Sequence, residues 1–215
     1  MLESVKGIGT ITISSGTVRG TDSSSGANGI YLNGGTCYAN GGTIQSTTHG
    51  IRIDKGTLYV RGSTVNSTDN VGINVRGGTV SMSSGSSSGY YHGISTSGGT
   101  VTVSGGSLTG RNTDGINVGG GTVRVTSGTI VGKGCGIANP GGNVTVSGGN
   151  ITGNTWDGLN QNSSNTGTRM TVTGGTVKGV NWAAYIASGT FTKSGSPNLI
   201  RGSAGTVYYY KGGSY

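Results

Sequence analysis

Charge is the first thing this chain is short of: only 9% of its 215 residues are charged, and six acidic residues stand against fourteen basic ones. Clustered carboxylates for metal binding or paired acid-base chemistry therefore have few candidates. Aromatics make up 6%, with a single Phe, and there are two each of Pro, Cys, His and Trp. Two cysteines, Cys37 and Cys135, make no disulfide scaffold. No apolar run reaches the length of a membrane span, and the opening residues lack the basic and apolar regions of a secretory signal. Helix formers are equally scarce beside 48 glycines, so an ordinary helical or mixed domain is excluded. Leu, Ile, Val and Phe together make up about a fifth of the chain, a composition close to that of disordered segments, so their positions decide between order and disorder.

Those positions repeat. The first apolar residue of each Thr-apolar-x-apolar unit falls at Ile11, Cys37, Leu58, Val80, Val101, Val123, Val144, Met170 and Phe191, at intervals of 26, 21, 22, 21, 22, 21, 26 and 21 residues. A second column runs from Val18 and Ile44 to Val177 and Leu199, with Ser87 interrupting it. A third runs from Ile30 and Ile51 to Leu159, usually behind a glycine, with Tyr185 and Val207 as its degenerate end. A fixed period of this size is the signature of a solenoid, whose units bury their apolar faces only against one another. Within each side apolar and polar residues alternate, as in "TVTVS", which is the period of a strand with one buried face.

The expected fold is all-β: a right-handed, single-stranded parallel β-helix with three sides and about nine coils of 21–22 residues. Residues 1–9 are expected to form an N-terminal cap, 10–189 the coils, and 190–215 a degenerate final coil with a Tyr-rich cap. Tyr208, Tyr209, Tyr210 and Tyr215 are candidates to close the core. Lys193 in an inner column and Pro197 beside a strand suit a stop signal against edge pairing. Cys37 and Cys135 lie about four coil spacings apart, roughly 19 Å, so two free thiols are expected.

Units such as "GGTVTVSGGSLTG", "GGNVTVSGGNITG" and "TDGINVGGGTV" resemble the Gly/Thr-rich β-helix repeats of bacterial surface proteins and phage fibres. They are similar to the carbohydrate-binding β-helix modules related in fold to pectate lyases. The resemblance covers the chain from Gly9 to Gly189 and rests on fold-forming positions. It implies an extracellular, cell-surface or virion location and a polysaccharide or cell-surface glycan as partner. The carbohydrate-binding relatives hold calcium at acidic Asp-Gly corners. The matching positions here are Asp114 with Gly115 and Asp157 with Gly158, and Asp69 lies nearby. Asp114 and Asp157 recur on alternate coils, about 10 Å apart, whereas calcium takes six to eight oxygens at once. They are therefore expected to cap turns at an exposed corner, and no cofactor is assigned.

Chemistry concentrates at the irregular corner before the third side. His49, Asp69, Tyr90, Tyr91, His92, Asn112, Asp114, Cys135, Trp156, Asp157 and Trp182 all fall there. Flat aromatics beside amides and carboxylates suit sugars, whose apolar faces stack and whose hydroxyls need convergent hydrogen bonds. The candidate ligand-binding set is Trp156, Trp182, Tyr90, Tyr91, Asp114, Asp157, Asn112 and His92, with the two indoles on adjacent coils forming one platform. The expected function is non-catalytic adhesion or carbohydrate binding. The alternatives are a structural subunit that self-associates through its ends to build a fibre, a lyase- or hydrolase-like polysaccharide enzyme, and ice binding through outward threonines. The net charge of +8 favours an anionic glycan over nucleic acid, since the basic residues form no dense stripe. No membrane insertion is expected.

Overall fold

The computed structural model describes residues 2–3, 5–7, 9–21, 27–162 and 164–209, with side chains from Gly9 onward. Every regular element among them is β, and every ladder is parallel. Alternation of β-branched and small polar residues builds the strands, and tight turns let one strand run through several sides without a break. Ile94–Gly110, for example, covers the third, first and second sides in 17 residues.

The register confirms the columns. On the first side the ladder runs Thr10, Thr36, Thr57, Thr79, Thr100, Thr122, Asn143, Arg169, Thr190, which defines coils 1 to 9. The next residue of each coil points inward: Val101 pairs with Val123 and Val123 with Val144, all essentially without solvent exposure. Second-side Leu108, Ile130 and Ile151 stack likewise, as do third-side Ile94, Ile116 and Ile137. These residues form one continuous core along the rod. Ser87, the polar break in the second column, is buried and donates its hydroxyl to the Gly93 carbonyl at 2.8 Å, so the core carries no unpaired oxygen there.

One expected inward residue is placed differently. In "WAAYI" the inward positions are Ala184 and Ile186, paired with Leu159 and Gln161, while Tyr185 pairs with Asn160 on the outer face. A one-residue slip reverses every side chain of a strand, and Ala183 in place of the usual glycine hides the slip in the sequence.

The ends differ from a simple pair of caps. Residues 2–3 and 5–7 pair in parallel with the second and third sides, so this segment is a partial coil continuing the ladders. At the other end Tyr209 pairs with Ile186, turns inward and packs on Phe191, whose backbone N–H donates to the Tyr209 hydroxyl at 3.3 Å. Tyr208 faces outward. Tyr210 and Tyr215 lie outside the described residues. Lys193 occupies its expected register opposite Val172 but is exposed. No helix is long and apolar enough to cross a membrane among the described residues.

Candidate functional site

The three corners are built from different materials. Between the first and second sides and between the third and first, a glycine takes positive φ in most coils, as at Gly106 (82°) and Gly121 (74°). The corner between second and third sides has no positive-φ residue in coils 2 to 8. Its glycines serve close approach instead. A Cβ on Gly153 would meet the Asp157 carbonyl at 2.0 Å, and one on Gly110 the Asp114 carbonyl at the same distance. What then satisfies the turn is side chain: Asp114 Oδ1 accepts from the Cys135 backbone N–H of the next coil at 3.0 Å.

On coils 5 to 8 this corner opens into a cleft of about 450 Å³ lined by Asp114, Cys135, Ala138, Trp156, Asp157, Asn160, Asn162, Asn181, Trp182 and Tyr185. Asp157 and Asp114 are 5% and 8% exposed, so they are not the exposed corner groups the sequence suggested. Packing of successive coils covers all but the edge of each carboxylate. Burial pushes Asp157 above the usual carboxylate range, opposed by the Asn160 amide, which donates to Oδ2 at 2.8 Å, and by the Trp182 backbone N–H. Burial likewise raises Asp114, against the Cys135 N–H and His92. Asp114 Oδ1 and Asp157 Oδ2 are each bonded within the protein, while Asp157 Oδ1 is buried without a hydrogen-bond partner among the described residues. Cys135 lies between them with its thiol pushed up to about 12, chiefly by burial. It is a poor nucleophile.

The indoles do not form one platform. Trp156, 54% exposed, leans back over Gly134, where a Cβ would lie 3.3 Å from its ring, while Trp182 leans forward over Gly205, where a Cβ would lie 2.2 Å from its ring. They diverge and become the two walls of the cleft. A flat surface is supplied instead by Tyr185. Its ring stacks on Tyr208 at 4.7 Å between centroids and 8° between planes, a separation matching the coil spacing. The stack therefore runs along the rod, and the second face of Tyr185 looks toward Asn160 and, one coil further, Ala138.

Of the eight candidate residues, Trp156, Trp182, Asp114 and Asp157 come together in this cleft. Tyr90, Tyr91 and His92 form a neighbouring group: the phenols, each 42% exposed, meet edge to face at 5.0 Å. His92 Nδ1 lies 3.0 Å from the Thr113 hydroxyl and 3.6 Å from Asp114 Oδ2, and burial lowers its pKa more than Asp114 raises it. Asn112 is held away, accepting from Lys133 Nζ at 3.2 Å. Asn160, Asn162, Asn181 and Tyr185 were not anticipated. The available signal was the outer ladder position Asn117, Ala138, Asn160, Tyr185, Tyr208, legible once register is known.

No protein-family model, curated protein sequence or solved structure matches this chain.

Proposed function

We propose that the protein is a non-catalytic carbohydrate-binding β-solenoid, displayed at an extracellular, cellular or virion surface, which grips a glycan in the cleft on coils 5 to 8. The observation that carries this reading is the Tyr185–Tyr208 stack, whose open face continues into a cleft with indole walls and an amide and carboxylate floor. A pyranose entering the cleft sets its apolar face against the aromatic lining beside Asn160, which holds the ladder step next to Tyr185. Its hydroxyls then reach the Asn160, Asn162 and Asn181 side chains. Ala138 supports the fit, since a larger side chain at this outer position would fill the slot.

The two raised carboxylates sharing one cleft invite a hydrolytic reading. Their two-coil backbone separation, roughly 10 Å, lies at the upper end of the 6.5–9.5 Å span of inverting glycosidases. Asp114 Oδ1 is also committed to the Cys135 N–H and Asp157 Oδ2 to Asn160. These contacts support a floor of fixed hydrogen-bonding groups and a binding role.

Both tryptophans of the chain line the cleft, so intrinsic fluorescence reports on it directly. Glycan-array screening followed by fluorescence titration should give a saturable change that Tyr185→Ala weakens by about tenfold or more. Saturable binding unaffected by both Tyr185→Ala and Trp156→Ala would refute the assignment of this cleft.

A further inference from the structure

A second cavity, of about 440 Å³, lies on the second side and its following corner in coils 1 to 5, lined by Arg19, Gln45, Thr47, Asn66, Thr68 and Arg111 among others. Its two arginines come from opposite directions along the rod. Arg19, on coil 1, reaches forward, and the Gln45 amide, turned so that its oxygen faces the guanidinium, accepts from both Nε and Nη2. Arg111, on coil 5, reaches back two coils: Nη2 donates to the Ser67 and Thr68 carbonyls, and Nη1 contacts the Ser88 hydroxyl at 3.4 Å. One guanidinium thus sits at the level of coil 2 and the other at coil 3, about one 4.8 Å coil spacing apart along the axis.

Two like charges brought this close repel, and nothing described around them offsets it. Among the described residues, none that lines the cavity is a carboxylate, and the hydrogen-bond partners of both guanidiniums are neutral oxygens. The ion pairs among the described residues, Arg52–Asp54 and His92–Asp114, involve neither arginine. Glu3 is the ladder neighbour of Arg19 on the strand toward the N-terminus. Guanidiniums are suited to oxyanions because their planar forks match two oxygens at once. Thr47, Thr68 and Asn66 add hydroxyl and amide groups around the same space.

We propose that this cavity is an oxyanion-binding subsite that reads a sulfate ester or uronate carboxylate on a polysaccharide. Its evidence is independent of the aromatic cleft. The cavity lies on the same corner, and the Arg111 guanidinium at coil 3 is four coils, roughly 19 Å, from Trp156 on coil 7, so one acidic chain lying along the rod passes both sites. A nucleic acid would instead call for a run of cations with interleaved aromatics. Here the outer ladder continues through the uncharged Ser88, Thr109, Val131 and Thr152 before it reaches Lys178.

Binding of the full chain to dextran sulfate, polygalacturonate, neutral dextran and a double-stranded DNA oligonucleotide, measured at fixed ionic strength, tests the proposal. Dextran sulfate or polygalacturonate should bind and neutral dextran should not use this site; which of the two binds more tightly identifies the oxyanion. Arg19→Gln with Arg111→Gln should weaken the preferred polymer by about tenfold or more, while Arg124→Gln with Arg201→Gln, an equal loss of charge elsewhere, changes it less than about threefold. Arg111→Lys, which keeps the charge and loses the fork, should fall between. Equal losses in both double variants, tighter binding to DNA, or no binding to either acidic polymer would overturn the proposal. Unchanged binding of the same polymer by Trp156→Ala would leave this site standing and locate it apart from the cleft.

Discussion

Two of the three corners of this rod are made by glycine backbone and one by side chains. At Gly106 and Gly121 the chain turns because glycine alone adopts positive φ cheaply, and a Cβ on Gly121 would also press to 2.4 Å from the Gly99 carbonyl of the preceding coil. Such a corner has almost no freedom to carry chemistry. At the corner before the third side, the turn is completed by Asp114 bonding the next coil's N–H, by Ser67 bonding the Thr47 carbonyl, and by Thr113 bonding the Tyr91 carbonyl. Side chains that hold a turn can be exchanged for others. The aromatics, amides and reaching arginines accordingly collect there. One partial exception sharpens the contrast. In coils 6 and 7 the corner between third and first sides gives up positive-φ glycine for a buried amide stack, in which Asn139 donates to Gln161 Oε1 at 3.1 Å and accepts from the Gly142 N–H.

The contrast is broken first by the core that all corners share. Val123→Asp, at the centre of a fully buried column, places an unpaired carboxyl between Val101 and Val144. Roughly 4 to 5 kcal/mol of stability should be lost, enough to unfold a marginal rod. Chemical denaturation followed by the β-sheet signal measures it. At the glycine corner, Gly121→Ala should cost about 2 to 3 kcal/mol through strained φ and the clash with Gly99. Asn154→Ala, exposed at the side-chain corner, should change stability by less than about 0.5 kcal/mol. Similar losses for these last two would erase the distinction between corners.

A smaller effect isolates the cleft from the scaffold. Ala138 lies on the outer face between Asn117 and Asn160 and lines the floor of the cleft. Ala138→Leu should fill the floor of the cleft two coils from Tyr185 and reduce glycan binding by about tenfold, near 1.4 kcal/mol, while leaving the melting temperature unchanged within a few degrees. Fluorescence titration and thermal melting on the same sample separate the two.

The columns and the parallel register were legible in sequence because a solenoid repeats one inner face, and each departure from period shows. The aromatic surface was not. Trp156 and Trp182 stand out by type, but their opposite lean depends on Gly134 and Gly205 in different coils. Tyr185 was masked by the alanines beside it, since "AAY" does not say which residue faces in. The burial of Asp114 and Asp157 and the backward reach of Arg111 arise between coils, where separation along the chain says little about distance.

The smallest predicted effect compares the two histidines, one in a regular coil and one beside the cleft. Burial, chiefly, and then the positive charge of Arg52 and Arg76 hold the pKa of His49 below its ordinary value, with a Val71 backbone contact opposing. Asn74 Nδ2 lies 3.0 Å from His49 Nε2, an arrangement in which the neutral ring accepts from the amide. The unfolded chain, with an ordinary His pKa near 6.5, therefore takes up a proton before the folded one does. Stability from His49 is present above that value and declines as pH falls below it, by up to about 1.4 kcal/mol per pH unit. His92 is also lowered, but Asp114 beside it is raised. A raised carboxylate has the opposite linkage, since its charged form is the strained one and strain is relieved as pH falls. The two contributions at the corner oppose each other. His49→Gln should thus flatten the acid limb of stability below about pH 6.5 more than His92→Gln does, read from denaturant midpoints at each pH. A steeper change for His92→Gln would show that Asp114 does not offset its neighbour, and that the corner holds its charge differently from the coils around it.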